Sequence, residues 1–278
     1  MTDLLDQLVH AALAEDVGGE DITTNATVPE GARCRAWLVS KQDGVLSGMR
    51  PFRLVFEVQG AACEHWQALP DGASVHKGVV VASFTGDTRA VLTAERTALN
   101  FIQHLSGIAT LTAKYVAAVQ GLACRVCDTR KTTPLLRNLE KQAVLHGGGA
   151  NHRPSLFQGV LIKENHIAAA GGIVEAVKRA RQAAHHLMRV EVEARSLEEF
   201  ELAMGSGADV IMLDNMALDA MREAVERAKG TRILLEASGN VTLETIRAIA
   251  ETGVDFISVG ALTHSSPVYD MSLLIENA

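Results

Sequence analysis

The sequence has few of the features that mark secreted, disordered or nucleic-acid-binding chains. Only four of its 278 residues are cysteine, and the 21% that are charged form no long block of one sign. Four cysteines are too few for a disulfide framework in a chain of this length. The formal net charge of −7 disfavours a general nucleic-acid surface. A hydrophobic content of 47% instead predicts one or two globular domains with a large core.

The sequence also has no recognisable targeting or membrane-spanning segment. Residues 1–21 are acidic and amphipathic, without the basic stretch and apolar run of a signal peptide. No uninterrupted apolar run approaches the roughly 18 residues that a membrane span needs. We therefore expect a soluble, cytoplasmic protein that binds neither membranes nor nucleic acid.

The cysteines have two interpretations. The C-x-x-C spacing of Cys124 and Cys127 is compatible with a zinc site, but this spacing alone is a weak signal. The favoured interpretation is that both lie on or beside a buried strand, where a free cysteine behaves as a small hydrophobic residue.

The two halves of the chain differ in their pattern of predicted helices and strands. The first half begins with a helical pattern, LLDQLVHAALAED, and ends in a long helical pattern from Leu92 to Val119. Between them lie short strand-like runs: CRAWLVS, GVLSGM and GASVHKGVVVASFTGD. After residue 123, six apolar runs alternate with helical stretches: CRVCDT, GVLIKEN, MRVEVEA, DVIMLDN, RILLEAS and DFISVGA. Irregular order predicts an α+β first half, and strict alternation predicts parallel βαβ units in the second. Ser196 and Thr242 stand where helix N-caps are expected, and Glu199 follows Ser196 by three residues.

A barrel and an open doubly wound sheet are both compatible with this alternation. The sequence contains neither G-x-G-x-x-G, expected of a dinucleotide-binding sheet, nor a P-loop. Polar residues end one predicted strand after another, which is where a (β/α) barrel places its active site. These residues are Arg130, Lys131, Lys163, Glu191, Glu193, Asp214 and Glu236. The pattern favours a barrel.

Cations cluster after the first two predicted barrel strands. Arg130 and Lys131 follow the first strand, and Lys163 directly follows an apolar run. A buried, unpaired lysine is costly, and several cations together suit a ligand with carboxylates or phosphates. Further candidates are His152, Arg153 and, in the helical motif ERTALN, Arg96. Solvated surface charge is the alternative for any one of them.

Acidic residues occupy the next two strands. Alternate spacing in RVEVEA places Glu191 and Glu193 on one strand face, and Asp214 ends the following strand. Carboxylates beside a pyrophosphate are typical of magnesium sites, and a carboxylate can stabilise a positive transition state. For Glu191, pairing with a neighbouring lysine or arginine inside the barrel is an equal alternative.

The last two strands end in small residues, in the segments ASGN and SVGALTH. Backbone N–H groups at a helix N-terminus bind anions, and barrels often bind phosphate after their final strands. The residues predicted to form this phosphate cradle are Ser238, Gly239, Asn240, Gly260 and His264. Ordinary turn chemistry is the alternative.

In combination, these motifs resemble the quinolinate phosphoribosyltransferase family. The motifs that carry the resemblance are EDVGGEDITT, ERTALNFIQHLSGIAT, DTRKTTP, LEKQAV, GGGANHR, LIKENHI, VEVEA, MLDNM, EASGN and SVGALTHS. The resemblance implies an N-terminal α/β sandwich domain over residues 1–107, joined by the tail 267–278. It also implies an incomplete (β/α) barrel over residues 108–266 that carries the active site.

The resemblance also implies roles for the site residues. All six cations bind quinolinate, and Arg96 comes from a neighbouring subunit. This role implies at least a homodimer, or a hexamer such as some relatives form. Phosphoribosyl pyrophosphate binds to Lys163, Glu193, Asp214 and the phosphate cradle. Glu193 and Asp214 hold Mg²⁺, and no organic cofactor is needed. The implied catalytic residues are Glu193, Asp214 and Lys131.

The implied reaction transfers phosphoribosyl to quinolinate with decarboxylation, giving nicotinate mononucleotide, carbon dioxide and pyrophosphate in NAD biosynthesis. Three alternatives stay open: a molybdenum-transport-associated relative with another acceptor, a Schiff-base aldolase using Lys163, and a protein that binds an acidic metabolite without turnover. The chain departs from the family at Leu135 and at Pro154–Ser155, where relatives usually have a glycine. If either glycine has a positive φ, its replacement costs free energy or the loop is rebuilt.

Overall fold

The structure, a computed structural model, describes residues 4–278, which divide into two compact units. The first unit contains the chain up to Ala113, together with Pro134–Gly148 and Ser266–Ala278. The second unit contains Lys114–Thr133 and Gly149–Ser265. None of the helices within residues 4–278 combines the length and the apolar character that crossing a bilayer requires.

Strands and helices alternate along most of the chain. The strands are β1 (Arg33–Ser40), β2 (Gly44–Val45), β3 (Glu64–Ala68), β4 (Ser74–Val75), β5 (Val80–Asp87), β6 (Arg125–Cys127), β7 (Val160–Ile162), β8 (Val190–Ala194), β9 (Val210–Asp214), β10 (Leu234–Ser238), β11 (Phe256–Ser258) and β12 (Met271–Asn277). The helices are α1 (Leu4–Val17), α2 (Ile22–Thr27), α3 (Met49–Val58), α4 (Thr88–Ala118), α5 (Arg137–His146), α6 (Glu164–Ala170), α7 (Ile173–Ala183), α8 (Leu197–Met204), α9 (Leu218–Ala228), α10 (Ile246–Ala250) and α11 (Ala261–His264).

The first unit is built on a four-stranded antiparallel sheet with the strand order β12-β1-β5-β3. Helix α1 buries Leu5, Val9 and Leu13, whose four-residue spacing puts them on one helix face. Aromatic side chains fill the core beneath the sheet, and the ring centroids of Phe56 and Phe84 lie 4.9 Å apart. Burial of these apolar surfaces is the main stabilising contribution in this unit.

One predicted strand of the first half is mostly wrong. The run GVLSGM forms a strand only at Gly44–Val45, and its last residue begins α3. Gly48 has a φ of 104°, a conformation that ends the extended run and that glycine adopts without strain. Pro51 lies in the first turn of α3, where its missing N–H breaks no helical hydrogen bond.

The second unit contains a six-stranded parallel sheet with the strand order β6-β11-β10-β9-β8-β7. Its strands are the six apolar runs predicted from the sequence, so the incomplete (β/α) barrel is confirmed. The helices between them bury one face each, as α9 does with Met221, Ala224 and Ala228. Strand β8 is buried at all five positions, because helices and the barrel interior cover its two faces.

The turn residues of the second unit mostly agree with their predicted roles. Ser196 accepts a hydrogen bond from the backbone N of Glu199 and so caps α8. The prediction that Thr242 caps α10 is wrong, because residues 243–245 form a turn first and the helix begins at Ile246. The carbonyl of Thr242 accepts from the backbone N–H groups of Thr245 and Ile246, which keeps this turn closed.

The cysteines are buried free thiols, as the favoured interpretation predicted. Cys124 lies next to β6 and Cys127 ends it, and both side chains are buried. Burial and the charge of Asp255 raise the pKa of Cys124 to about 12. Burial likewise raises the pKa of Cys63 to about 11. Such thiols stay protonated near neutral pH and are therefore poor nucleophiles.

Candidate active site

The carboxyl-terminal ends of the six parallel strands lie along one edge of the second unit's sheet, as the parallel pairing requires. Every predicted site residue except Arg96 belongs to this unit. Arg96 lies on α4 in the first unit, where its side chain is exposed.

Lys163 and Glu193 form an ion pair at this edge. The Lys163 Nζ atom lies 2.5 Å from Glu193 Oε1. Glu193 is 9% exposed, whereas half of the Lys163 side chain is exposed. The carboxylate is thus held in the barrel interior while the ammonium group faces the open edge. An ion pair suits an ammonium group rather than the neutral amine that a Schiff-base aldolase requires.

His152, Glu191 and Glu236 form a buried cluster inside the unit. The His152 Nε2 atom is 3.0 Å from Glu191 Oε2 and 3.8 Å from Glu236 Oε1. The Ser258 hydroxyl donates to the same Glu236 oxygen. Burial and the negative charge of Glu191 raise the pKa of Glu236 to about 7, although His152, Ser258 and Lys163 oppose the rise. Glu191 therefore pairs with a histidine, and not with the lysine or arginine that the sequence suggested.

Arg130 and Arg153 supply concentrated positive charge. Burial and the charge of Arg130 lower the pKa of Arg153, and Glu191 acts in the opposite direction. The Arg153 Nη1 atom donates to Gly159 O at 2.7 Å. Its Nε is buried and has no acceptor among residues 4–278. A buried guanidinium nitrogen without an acceptor is expected to have an external one, and a carboxylate is the usual choice.

The backbone of the His152–Arg153 segment is held by Asp128, an acid that was not selected from the sequence. Asp128, which directly follows β6, is fully buried. Its Oδ1 accepts a hydrogen bond from the His152 backbone N at 2.9 Å. The signal was present in the sequence, because a carboxylate that follows a strand and precedes two cations is a candidate anchor.

Lys131 lies beside α11, the short helix that follows the last barrel strand. Its carbonyl accepts a hydrogen bond from Thr263 Oγ1 at 2.7 Å. A Cβ atom added at Gly260 would lie 3.2 Å from both Lys131 Cδ and His264 Nε2. These three residues are therefore neighbours, and the absence of a side chain at Gly260 leaves room between the lysine and the histidine.

Asp214, Ser238, Gly239 and Asn240 are linked through Asn215, which the sequence analysis missed. The Asn215 amide nitrogen donates to Asp214 Oδ1 at 3.1 Å, and its oxygen accepts from Asn240 Nδ2 at 3.0 Å. A Cβ at Gly239 would lie 2.2 Å from Asn215 Oδ1, so only glycine fits. Its φ of 97° also requires glycine. Asn215 has a φ of 55°, which asparagine tolerates better than most residues.

The predicted magnesium ligands are not assembled into a complete site by protein groups alone. One Glu193 oxygen is bonded to Lys163 and one Asp214 oxygen to Asn215. Among residues 4–278, the group of three metal-type side chains with ligand atoms within 4.8 Å is His152, Glu191 and Glu236. Magnesium is commonly bound through one or two carboxylates plus substrate phosphates, so Glu193 and Asp214 fit a metal that arrives with a pyrophosphate.

The two departures from the family pattern differ in backbone conformation. Leu135 has a φ of 67° and its side chain is 71% exposed, so it holds a conformation that favours glycine. Ser155 does not have a positive φ, and its hydroxyl donates to Gln158 Oε1 at 3.2 Å. Of the two departures, only Leu135 therefore has a strained backbone conformation.

Comparison with known proteins gives consistent matches over both units. The model of the quinolinate phosphoribosyl transferase C-terminal domain matches residues 108–274, and that of the N-terminal domain matches residues 21–106. A probable nicotinate-nucleotide pyrophosphorylase (carboxylating) of Bacillus subtilis is 43% identical over 97% of this chain and 92% of its own length. The chloroplastic nicotinate-nucleotide pyrophosphorylase (carboxylating) of Arabidopsis thaliana is 44% identical, over 98% and 83% respectively.

Solved structures agree in fold over the full length. A crystal structure of NadC from Streptococcus pyogenes is 41% identical, covers 100% of both chains and has a TM-score of 0.94. The nicotinate-nucleotide pyrophosphorylase of Francisella tularensis is also 41% identical, with a TM-score of 0.93 over 99% of this chain and 96% of that one.

Proposed function

Because the chain belongs to the quinolinate phosphoribosyl transferase family, we propose that it transfers phosphoribosyl from phosphoribosyl pyrophosphate to quinolinate and decarboxylates the adduct. The products are nicotinate mononucleotide, carbon dioxide and pyrophosphate. The observation that supports this most strongly in the structure is the cationic group around the buried, unpartnered Arg153 Nε at the carboxyl ends of the barrel strands. A pyridine dicarboxylate supplies the acceptors that this group requires.

Quinolinate is bound by Arg130, Lys131, His152, Arg153 and Lys163 in this proposal. The two guanidinium groups make paired hydrogen bonds to the carboxylates, and Lys131 and Lys163 add charge at the open edge. Anchoring of the His152 backbone by Asp128 fixes the segment that carries Arg153. The bound ring is thereby oriented before the second substrate reacts, which lowers the entropic part of the barrier.

Phosphoribosyl pyrophosphate binds across the strands that follow. Its 5′-phosphate is held by Ser238, Gly239, Asn240, Gly260 and His264, where glycine leaves the backbone N–H groups accessible. Glu193 and Asp214 would hold Mg²⁺ together with the pyrophosphate, and the bound metal would supply positive charge that stabilises the leaving group.

The chemistry uses charges that are already in place. The pyridine nitrogen attacks the anomeric carbon as its bond to pyrophosphate breaks, and the sugar passes through an oxocarbenium-like transition state. Glu193 stabilises this positive charge. The C2–carboxylate bond then breaks, the electron pair moves toward the positive ring nitrogen, carbon dioxide leaves and C2 takes a proton from solvent. The nitrogen is the electron sink, so no organic cofactor takes part.

Further parts of the proposal concern assembly and location. Arg96 is donated to the site of a neighbouring subunit, so the protein works as a homodimer or a larger homo-oligomer in the cytoplasm. The exposed position of Arg96 on α4 is compatible with this role. The division into a first domain at residues 1–107 with the tail 267–278 and a barrel domain at 108–266 is also a proposal.

The test is an assay of nicotinate mononucleotide and carbon dioxide formation from quinolinate, phosphoribosyl pyrophosphate and Mg²⁺. Nicotinate is the competing acceptor in a parallel reaction. We expect turnover with quinolinate and none with nicotinate, since nicotinate lacks the second carboxylate. Binding of phosphoribosyl pyrophosphate without any product from quinolinate would contradict the proposal.

A further inference from the structure

The buried acid Glu236 has no role in the site as proposed so far. It lies on β10, is 4% exposed and accepts a hydrogen bond from Ser258 on β11. No lysine or arginine within residues 4–278 makes an ion pair with it at 4 Å or less. A buried carboxyl group is costly unless it is hydrogen-bonded or neutral, so its position in the barrel interior requires a physical reason.

The ring of His152 is held at both nitrogens. Its Nδ1 accepts a hydrogen bond from the backbone N of Arg153 at 2.8 Å. A backbone N–H can only donate, so Nδ1 has a lone pair and the ring proton is on Nε2. That proton points to Glu191 Oε2 at 3.0 Å. One side of the ring therefore fixes the Arg153 backbone, and the other side is fixed by Glu191.

Glu236 competes with Glu191 for this ring proton only if it is charged. Its Oε1 is 3.8 Å from His152 Nε2, too long for a hydrogen bond but close enough to attract the proton. With Glu236 neutral and bonded to Ser258, Glu191 is the single anionic acceptor. The pKa of Glu236, raised to about 7 by burial and by Glu191, is compatible with a neutral acid. Burial lowers the pKa of His152, but the bond to Glu191 and the charges of both acids raise it more. This shift favours a second ring proton, and the backbone N–H of Arg153 opposes it because it occupies the Nδ1 lone pair.

We propose that Glu236 and Ser258 are positioning residues of the quinolinate site. They keep Glu191 aligned on His152 Nε2–H, and this alignment fixes the ring, the Arg153 backbone and the guanidinium group that meets the substrate carboxylates. The inference rests on the proposed function of the same site. Neither residue touches substrate, so both act through His152.

The test uses two variants of Glu236 and one matched control. Glu236→Gln has nearly the same shape, is neutral and retains an oxygen for Ser258, whereas Glu236→Leu removes every polar contact. Asp255→Asn is the control. This residue directly precedes β11, and its Oδ2 accepts a hydrogen bond from the Leu235 backbone N at the amino-terminal end of β10, away from the site. Michaelis constants for quinolinate and for phosphoribosyl pyrophosphate are measured separately.

We expect Glu236→Leu to raise the Michaelis constant for quinolinate about tenfold, since it leaves buried polar partners unsatisfied. The constant for phosphoribosyl pyrophosphate should change by less than about twofold, because the phosphate cradle does not use this cluster. Glu236→Gln should restore the quinolinate constant to within about threefold of wild type, and Asp255→Asn should leave both constants unchanged. Equal rises in both constants for Glu236→Leu, or no rescue by glutamine, would overturn the proposal.

A second readout does not depend on turnover. Nitrogen NMR of histidine-labelled protein, with the His152 signals identified by their loss in His152→Asn, reports which ring nitrogens are protonated. We expect one protonated and one unprotonated nitrogen in wild type and in Glu236→Gln, and a mixture of tautomers in Glu236→Leu. A ring protonated at both nitrogens in wild type near neutral pH would overturn the inference. Loss of all turnover in wild type with the expected ring state would instead overturn the proposed function alone.

Discussion

The two ends of the same barrel strands use acidic residues in opposite ways. At the amino-terminal ends, Asp209 Oδ2 accepts from the Val190 backbone N at 2.7 Å, and Asp255 does the same for Leu235 at 2.8 Å. At the carboxyl-terminal ends, Glu193 is bonded to the Lys163 side chain at 2.5 Å. Acids at the amino ends bind backbone and so hold the strands together. Acids at the carboxyl ends bind functional side chains, as Glu193 does, or the backbone of the segment that carries them, as Asp128 does, and therefore shape a site.

The largest expected effect is the loss of turnover on substitution of Glu193, at the carboxyl-terminal ends of the barrel strands. Glu193→Gln removes the charge that stabilises the oxocarbenium-like transition state and weakens the bond to Lys163. We expect kcat to fall by about 10²–10³, with a melting temperature close to wild type. The measurement is steady-state turnover of quinolinate, with Glu226→Gln, an exposed acid on α9, as the control. A kcat within threefold of wild type would remove Glu193 from the mechanism.

Substitution of Arg153 tests whether the same strand ends bind quinolinate. Arg153→Ala removes a partly buried guanidinium group that is proposed to hold a substrate carboxylate. Charge-assisted hydrogen bonds contribute about 1.5–3 kcal/mol, so the Michaelis constant for quinolinate should rise about 10- to 100-fold. Lys131→Ala should act in the same direction. Arg232→Ala, an exposed arginine just before β10, is the control and should behave as wild type. An unchanged constant in Arg153→Ala would contradict the proposed binding role.

Glu236 predicts a pH dependence of stability. Its folded-state pKa of about 7 exceeds the ordinary glutamate pKa of 4.5, so the folded protein binds a proton that the unfolded chain releases between these values. Its contribution to stability is therefore complete below about pH 4.5 and is lost as the pH rises toward and through 7. At about 1.36 kcal/mol per pKa unit, the loss over this rise of about 2.5 units is at most roughly 3–4 kcal/mol.

The measurement is urea unfolding of wild type and Glu236→Gln at pH 5 and pH 8. Glutamine cannot titrate, so the variant should gain stability relative to wild type as the pH rises. Glu226→Gln, which is exposed, should leave the pH slope unchanged. A Glu236→Gln slope equal to that of wild type would mean that Glu236 is charged in the folded protein at pH 5.

The smallest effect is expected at the amino end. Asp255→Asn keeps the shape but weakens the acceptor for the Leu235 backbone N–H. We expect a loss of about 1–2 kcal/mol in the free energy of unfolding and an unchanged kcat at 25 °C. Urea unfolding and turnover on the same preparation are the two measurements. Full stability with lost turnover would reverse the assignment of the two strand ends.

Sequence reasoning succeeded where one local pattern was enough. Each of the six barrel strands is an apolar run with helices on both sides, and β8 alternates Val190 and Val192 with two glutamates that both face side-chain partners inside the unit. Helix α3 was missed although Phe52, Val55 and Phe56 have helical spacing, whereas strand β12 was not predicted because its partner lies far away in sequence. Strand β12 pairs with β1 across more than 200 residues, and no periodicity indicates such a pairing.

The residue types of the site could be predicted from the sequence, but the hydrogen bonds between them could not. The cations and the acids at the strand ends could be named from the sequence, although their roles there stay predictions. Asp128, Asn215 and Ser258 were missed, because each acts by hydrogen-bonding a residue from a different strand or loop. The position of Asp128 between a strand and two cations was a usable local signal, but the pairings of Asn215 and Ser258 depend on strand register and are not encoded locally. The domain boundaries at residues 107 and 266 likewise stay a prediction.

A crystal structure with quinolinate bound would test most directly whether the carboxyl-terminal ends form the substrate site. The account predicts that both carboxylates lie at about 3 Å from guanidinium nitrogens of Arg130 and Arg153, and that His152 still contacts Glu191. A pyridine ring bound away from these groups, with Arg153 making only its present bond to Gly159, would contradict it.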